Sequence, residues 1–313
     1  MISRRLLRIK VLKSLYAHLK SEADSIMGSE KSLVASIDKT YDLYFQMMSL
    51  IVELANYAEK RQEIAMQKKL PTFEDLHPNR KFVENAVIKL IANSDSVNDY
   101  LASRKLSWKN NPELIKTLFT QLEQTDYYQQ YMAKQERSFS DDMALVTNFY
   151  TLELEESESL EEALDEQSIL WNDDLGFALI MVTRTLSNMR PSHKEVKVLP
   201  KFKNWEDLDY ARELFSKAAI HFDEYLEQIE TFTRNWDVER IAFMDNIIMV
   251  TAMAELINCP SIPVKVTLDE YIEIAKYYST PGSSTFINGI LDKVVIALTE
   301  SGQIKKSGRG LIG

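Results

Sequence analysis

Glycine and proline are scarce in this chain, which has eight of each among 313 residues. The glycines are also unevenly placed, since none lies between Gly28 and Gly176 or between Gly176 and Gly282. Tight β-turns depend on both residues, because glycine tolerates positive φ and proline fixes φ. Their scarcity works against β-hairpins and doubly wound sheets, so the sequence predicts an all-α fold of long helices.

Cysteine and long apolar runs are also in short supply. The single cysteine, Cys259, excludes an intrachain disulfide and fits a reducing compartment. Charged residues interrupt the amino-terminal segment, where a signal peptide needs an apolar core. The most apolar stretches, 175–182 and 247–254, are too short to cross a bilayer. We therefore expect a soluble, cytoplasmic protein with no membrane partner.

The motifs of catalysis and cofactor binding are missing as well. The chain has no glycine-rich phosphate loop, no Cys-x-x-Cys pair and four scattered histidines. Carboxylate pairs such as Asp269 and Glu273 are expected by chance in so acidic a sequence. The sequence therefore predicts a protein that is not an enzyme and that needs neither a metal ion nor a cofactor.

Charge is distributed in blocks along the chain. The net charge is −10, which by itself argues against a nucleic-acid-binding protein. However, residues 138–183 contain twelve acidic residues and no Lys or Arg, whereas residues 1–20 contain six basic residues and no acid. A solvated helix face with a linker is the favoured interpretation of the acidic block. A docking strip for a basic partner, or a guard that repels RNA, is the alternative.

The amino-terminal segment predicts an amphipathic helix over residues 4–20, with Ser3 as its N-cap. Arg4 and Arg8 lie four positions apart on one face, and Arg5 lies beside them. Cations near a helix N-terminus oppose the helix dipole. An external anion therefore explains these arginines better than helix stability does.

Apolar periodicity and breaking residues predict further helices along the chain. Thr267 and Glu270 have the spacing of a capping box, and Ser283 or Ser284 is expected to cap the last helix. A connector is expected at 190–204. The expected helices are 30–69, 79–103, 112–135, 141–150, 159–166, 175–189, 207–234, 237–257, 267–278 and 283–301.

Several segments of the carboxy-terminal third, together with the first helix, form a recognisable pattern. They are Asn235-Trp236-Asp237-Val238-Glu239-Arg240-Ile241-Ala242, Asp245, Ala252, Glu255, Ile262-Pro263, residues 269–276 and 286–293, and Arg4, Arg5, Arg8 and Leu15-Tyr16. In their order and spacing these segments closely resemble the bacterial NusB family, and the first helix is similar to the arginine-rich first helix of that family. The resemblance implies a NusB-like core of 1–29 and 205–313, with a helical insertion over 30–204 that contains the acidic block 138–183.

The resemblance implies an all-α bundle that takes part in transcription antitermination. Members of this family bind the boxA element of nascent transcripts, especially ribosomal RNA, together with the ribosomal protein NusE. The complex helps RNA polymerase to resist termination, and no reaction is catalysed. A helical scaffold that binds a protein partner through its insertion, with a weakened RNA site, is the alternative. An RNA-modifying enzyme is disfavoured because the insertion has no glycine-rich cofactor fold.

The resemblance and the chemistry of the side chains together give a set of candidate site residues. Cations suit phosphates and base edges, aromatic rings suit stacking, and hydroxyls at a helix start suit phosphate. The expected RNA contacts are Arg4, Arg5, Arg8, Lys10, Tyr16, Ser283, Ser284 and Phe286. Tyr16 and Phe286 could equally be core residues. Glu239 and Asp245 match acidic positions that the family uses toward NusE, although a solvated helix edge explains them equally well.

The chain also departs from the family pattern. Asn246 and Val250 replace basic residues that the family often has in this helix, and Gly282 and Thr285 replace an acid and a base. These differences leave the exact RNA footprint open.

Overall fold

The computed structural model describes residues 1–21, 25–233 and 242–311. Over these ranges the chain forms α-helices and no β-strand, which confirms the all-α prediction. None of the described helices combines the length and the apolar character that crossing a membrane requires. The helices are α1 (Arg4–Lys20), α2 (Ile26–Met66), α3 (Phe73–Leu76), α4 (Ala86–Ala92), α5 (Asp95–Arg104), α6 (Pro112–Gln124), α7 (Asp126–Ala133), α8 (Phe139–Asn148), α9 (Glu158–Gln167), α10 (Leu175–Ser187), α11 (Asp207–Ile220), α12 (Phe222–Thr233), α13 (Phe243–Asn258), α14 (Val264–Tyr278) and α15 (Ser283–Glu300).

The chain divides into two compact units. Unit 1 comprises Met1 and Asp38–Lys201, and unit 2 comprises Ile2–Ile37 and Phe202–Gly313. Unit 2 therefore combines the first helix with the carboxy-terminal third of the sequence. The boundary between Ile37 and Asp38 falls within α2.

Unit 1 is organised around the part of α2 that follows Asp38. Three large side chains hydrogen-bond to its backbone carbonyl groups: Trp108 Nε1 to Gln46 at 2.9 Å, Tyr150 Oη to Met47 at 2.8 Å and Trp171 Nε1 to Lys39 at 2.8 Å. All three donors are buried. A buried tryptophan or tyrosine must satisfy its polar atom, and here the backbone of α2 supplies the acceptors.

Unit 2 is built around α13, which packs against α1, α11, α12, α14 and α15. Every residue from 247 to 256 is buried, on all sides of this helix. A helix that is apolar all round belongs in a protein interior. The one carboxylate in this buried stretch, that of Glu255, consequently needs partners within the core.

The first helix agrees with its prediction, and Ser3 Oγ accepts a hydrogen bond from the Leu6 amide at 3.2 Å. Some predicted long helices are instead two shorter ones. The segment 112–135 divides at Thr125, whose side chain caps α7 by accepting from the Tyr128 amide. The segment 207–234 divides at His221. Side chains that bond to nearby backbone groups offer the chain an alternative to continuing one helix.

Two predicted caps are wrong. The helix expected to open with a capping box at Thr267 begins at Val264, and Thr267 Oγ1 instead donates to Glu255 Oε1 at 2.8 Å. Neither Ser283 nor Ser284 caps α15, because Gly282 occupies the N-cap position. Gly282 has φ of +92°, a conformation that residues with side chains disfavour, so glycine suits this position.

Candidate nucleic-acid interface

The arginines of α1 occupy its first two turns. The helix buries Leu7, Val11 and Leu15, and this apolar stripe fixes its orientation in unit 2. Residues 6–12 are all buried, and Arg4 and Arg5, which precede them in the first turn, lie nearer the surface. The pattern of four-residue spacing determines which side chains share each face.

Each of the three arginines bonds to a carboxylate from a distant part of the sequence. Arg4 Nε lies 3.1 Å from Asp207 Oδ1. The Arg5 guanidinium donates twice to Glu270, at 2.8 and 2.9 Å. The carboxylates that bond to these arginines thus come from three other helices. Asp207 lies on α11 and Glu270 on α14, and Glu255, the partner of Arg8, lies on α13.

Arg8 and Glu255 form a buried, bidentate ion pair. Arg8 Nε and Nη2 each donate to Glu255 at 2.8 Å, and both side chains are buried. Glu255 also accepts from Tyr210 Oη at 2.5 Å, from Thr267 Oγ1 at 2.8 Å and from Tyr271 Oη at 3.3 Å. This carboxylate therefore has the full set of partners that a buried charge requires.

Burial and pairing act in opposite directions on this pair. Burial alone would raise the pKa of the Glu255 carboxyl, but the charge and hydrogen bonds of Arg8 hold it below its ordinary value. Burial would lower the pKa of Arg8, whereas the electrostatic effects of Tyr210 and Glu255 raise it. Both residues are consequently charged in the folded protein.

Exposure separates the predicted cations into two groups. The side chain of Arg5 is 47% exposed and that of Arg4 is 34% exposed, whereas that of Arg8 is 3% exposed. Lys10 is also buried. An RNA phosphate can reach the exposed parts of Arg4 and Arg5, although Glu270 occupies the Nε and Nη2 edge of Arg5. Direct contact with Arg8 or Lys10 would require the surrounding side chains to move.

A mixed aromatic and basic surface lies farther along α1. Tyr16 is exposed, and its ring packs edge-on against Phe243, with 5.7 Å between the ring centroids. Lys20 Nζ lies 4.2 Å from the centroid of the same Phe243 ring. An exposed ring that packs on a second aromatic ring, with a cation beside it, suits stacking with nucleobases. Sequence reasoning found Tyr16 but missed Phe243 and Lys20.

The start of α15 surrounds a buried carboxylate. Ser283 Oγ donates to Asp245 Oδ2 at 3.0 Å, and Ser279 Oγ donates to Asp245 Oδ1. Ser283 and Asp245 are buried, whereas Ser284 and Phe286 are partly exposed. The structure therefore brings together two residues that were predicted for different roles, Asp245 for the protein partner and Ser283 for RNA.

The acidic positions expected to face a protein partner fall into different situations. Asp245 is bonded within unit 2, so a partner would reach its carboxylate only by replacing its serine donors. Glu239 lies outside the described residues.

The carboxylates that hold the α1 arginines were not predicted as site residues. Glu255 did carry a signal, because it is the single charged residue in the apolar run 247–256. Such a residue is expected to be paired inside the core. Glu270 and Asp207 carried no comparable signal, because acids are common on exposed helix faces. Within the described ranges, no group of three or more His, Cys, Asp or Glu side chains is arranged to hold a metal ion.

Comparison with known protein families identifies one match. The model of the NusB family matches residues 177–295. This match begins before residue 205, where the predicted core resumes, and it does not include α1. No solved structure matches the chain.

Curated relatives give the same result. The transcription antitermination protein NusB of Salinibacter ruber (strain DSM 13855 / M31) is 44% identical over 105 residues, which cover 34% of this chain and 66% of the relative. That of Chloroherpeton thalassium (strain ATCC 35110 / GB-78) is 36% identical over 104 residues, covering 33% of this chain and 49% of the relative. That of Natranaerobius thermophilus (strain ATCC BAA-1301 / DSM 18059 / JW/NM-WN-LF) is 33% identical over 98 residues, covering 31% of this chain and 70% of the relative.

The matched segments thus span from about half to 70% of these relatives, and about one third of this chain. The segments named in the sequence analysis lie largely within the matched range. The chain belongs to the NusB family.

Proposed function

We propose that this chain is a non-enzymatic transcription antitermination factor that binds boxA-type single-stranded RNA together with the ribosomal protein NusE. Its RNA would be the nascent ribosomal transcript, and its setting the RNA polymerase antitermination complex in the cytoplasm. The core that performs this role comprises 1–29 and 205–313. The observation that carries the proposal is the pair of accessible guanidinium groups, Arg4 and Arg5, at the start of α1 in a NusB-family chain.

The proposed RNA surface combines three kinds of contact. Arg4 and Arg5 bind phosphates, since guanidinium groups pair with phosphate oxygens in a planar, bidentate manner. Tyr16 stacks on a base beside Phe243 and Lys20. Ser284 and Phe286 extend the surface to the start of α15.

The buried members of the predicted set have supporting roles in this proposal. Arg8 is fixed by Glu255 and so orients the first turns of α1. Lys10 and Ser283 are buried, so in this proposal they support the surface rather than touch RNA directly. Glu239 and Asp245 remain the proposed acidic positions toward NusE, which is a basic partner in the family.

Fluorescence anisotropy with a labelled boxA-type RNA, with and without NusE, tests the proposal. Arg5→Ala and Tyr16→Ala should weaken binding, and Arg5→Ala should lower the slope of log affinity against log salt by about 0.7. Arg212→Ala is the matched control, because Arg212 is a similarly exposed arginine of unit 2. It lies on α11 and forms an ion pair with Glu30 on α2. Equal losses for Arg5→Ala and Arg212→Ala would contradict a specific site.

A protein-binding scaffold is the second candidate function, and one feature of unit 1 favours it. Leu70 and Phe73 are 89% and 74% exposed, and Ile64 and Leu76 nearby are exposed as well. Exposed apolar side chains that lie close together often mark interaction surfaces. A partner recovered by the full chain but lost with Leu70→Ser and Phe73→Ser would support this function, and unchanged recovery would count against it.

A further inference from the structure

The Glu270 carboxylate lies against two arginines of the proposed RNA surface. Its Oε1 accepts from Arg5 Nη2 at 2.9 Å, and its Oε2 accepts from Arg5 Nε at 2.8 Å. The same Oε2 lies 3.6 Å from Arg8 Nη1. A carboxylate paired with a guanidinium edge in this way uses the same planar, two-bond geometry as a phosphate.

The two arginines are held to different degrees. The Nε and Nη2 edge of Arg8 is committed to Glu255 inside the core, so Arg8 Nη1 is fixed in place and directed toward Glu270. Arg5 is nearly half exposed, and Glu270 is 21% exposed. Of the anions around these arginines, the Glu270 carboxylate is therefore the one that can leave without exposing a buried charge.

We propose that Arg5 and Arg8 Nη1 form a subsite for a single phosphate group, which Glu270 occupies in the free protein and vacates when RNA binds. This inference rests on the proposed RNA-binding function. Each phosphate that enters replaces one carboxylate on the same guanidinium edge. Glu270 thus acts as an intramolecular competitor that reduces RNA affinity and favours ligands able to offer two oxygen acceptors.

Glu270→Gln is the direct test, because it keeps the size of the side chain and removes its charge. An exposed ion pair contributes little, so the variant should bind boxA-type RNA about twofold to fivefold more tightly in anisotropy measurements. Asp269→Asn is the matched control, since Asp269 is the exposed neighbour on α14 and the substitution changes the net charge equally. The control should show a smaller gain.

The gain must also depend on Arg5. In an Arg5→Ala background, Glu270→Gln should change RNA affinity no more than Asp269→Asn does. A gain that persists without Arg5, or that equals the gain from Asp269→Asn in the wild-type background, would overturn the proposed competition. Thermal unfolding of each variant shows whether the fold is retained.

Inorganic phosphate separates this inference from the proposed function. Phosphate should raise the melting temperature of the Glu270→Gln variant more than that of the wild type, and Arg5→Ala should abolish the difference. If this holds while RNA does not bind, the phosphate subsite stands and the RNA function fails. If Arg5→Ala weakens RNA binding but Glu270→Gln alters neither RNA affinity nor the phosphate response, the function stands and the competition is wrong.

Discussion

The two charged regions of the sequence, helix α1 and the acidic block 138–183, lie in different environments in the structure. The α1 arginines each meet a carboxylate more than 200 positions away in the chain, and Arg8 is fully internal. In the acidic block, Asp142 and Asp174 are buried, whereas the acids from Glu155 to Glu166 are exposed. Part of the basic run, Arg8 and Lys10, therefore lies in the core of unit 2, while most of the acidic run lies on the surface of unit 1.

This difference shows that a run of like charges does not by itself determine its environment. The absence of acids near the α1 arginines suggested an external anion, yet α11, α13 and α14 supply carboxylates to the same side chains. The depth of burial then determines how much free energy of unfolding is lost when each ion pair is broken. A buried pair is costly to break, whereas an exposed charge contributes little.

The largest effect is expected from breaking the Arg8–Glu255 pair. Glu255→Ala leaves the Arg8 charge buried without its partner and also removes the acceptor of Tyr210 and Thr267. The free energy of unfolding of unit 2 should fall by about 3–5 kcal/mol. Hydrogen exchange of α13 measures this loss in unit 2 itself.

The double variant Arg8→Met with Glu255→Leu is the control for that loss. It removes both charges and keeps apolar volume, so it should recover part of the stability lost in Glu255→Ala. A double variant as unstable as the single one would show that packing, rather than the unpaired charge, causes the loss.

Acid should weaken the same pair by protonating Glu255. Its pKa is lowered in the folded state, so its stabilising contribution is complete above the ordinary value of 4.5 and is lost as pH falls through the lower folded value. Protection of α13 from hydrogen exchange should therefore decline as pH is lowered below about 4.5. The double variant lacks the pair, and its protection should decline less steeply over the same range.

Within the acidic block, Asp142 is expected to matter more than its exposed neighbours. Its carboxylate accepts from the Ala86 amide at 2.7 Å and from Tyr131 Oη at 2.6 Å, at the N-terminus of α4. Asp142→Ala should lower the free energy of unfolding of unit 1 by about 1–3 kcal/mol, because the Ala86 amide loses its acceptor and Tyr131 Oη keeps only the Lys81 carbonyl, at 3.1 Å. Fluorescence of the buried Trp108 and Trp171 reports on unit 1.

Asp165→Ala is the matched control for that measurement. Asp165 is an exposed acid of the same block, and a surface substitution of this kind changes stability by about 0.5 kcal/mol or less. Equal losses for Asp142→Ala and Asp165→Ala would contradict the division of the block into buried and exposed acids.

Local features of the sequence predicted much of the fold. Apolar periodicity and Ser3 gave α1 from residue 4 to residue 20, and the scarcity of turn residues gave the all-α class. The capping box at Thr267 failed because the hydroxyl of Thr267 serves Glu255 on another helix. Local spacing cannot reveal such a tertiary use of a side chain.

The candidate site could be predicted only in part for the same reason. The four-residue spacing of Arg4 and Arg8 is local, so their placement on α1 followed from the sequence. Their partners Asp207 and Glu255 come from helices that only folding brings near. The depth of burial, which separates Arg8 from Arg5, depends on that packing as well.

The smallest effect is expected on the exposed face of α9. Glu162 has acids three and four positions away, at Glu158, Asp165 and Glu166, and all four are exposed. Like charges at this spacing repel, so Glu162→Gln should stabilise unit 1 by about 0.2–0.5 kcal/mol in low salt. In 1 M salt, where the screening length is about 3 Å, the gain should disappear.

Glu84→Gln is the control, and it should change the stability of unit 1 in the opposite direction. Glu84 is a partly exposed acid of unit 1 whose neighbours are cations, with Arg80 Nε at 3.4 Å and Arg137 in contact. Removing its charge should cost a similarly small amount in low salt, and salt should reduce that cost too. If both substitutions shifted stability in the same direction, the exposed acids of unit 1 would not be responding to the charges around them.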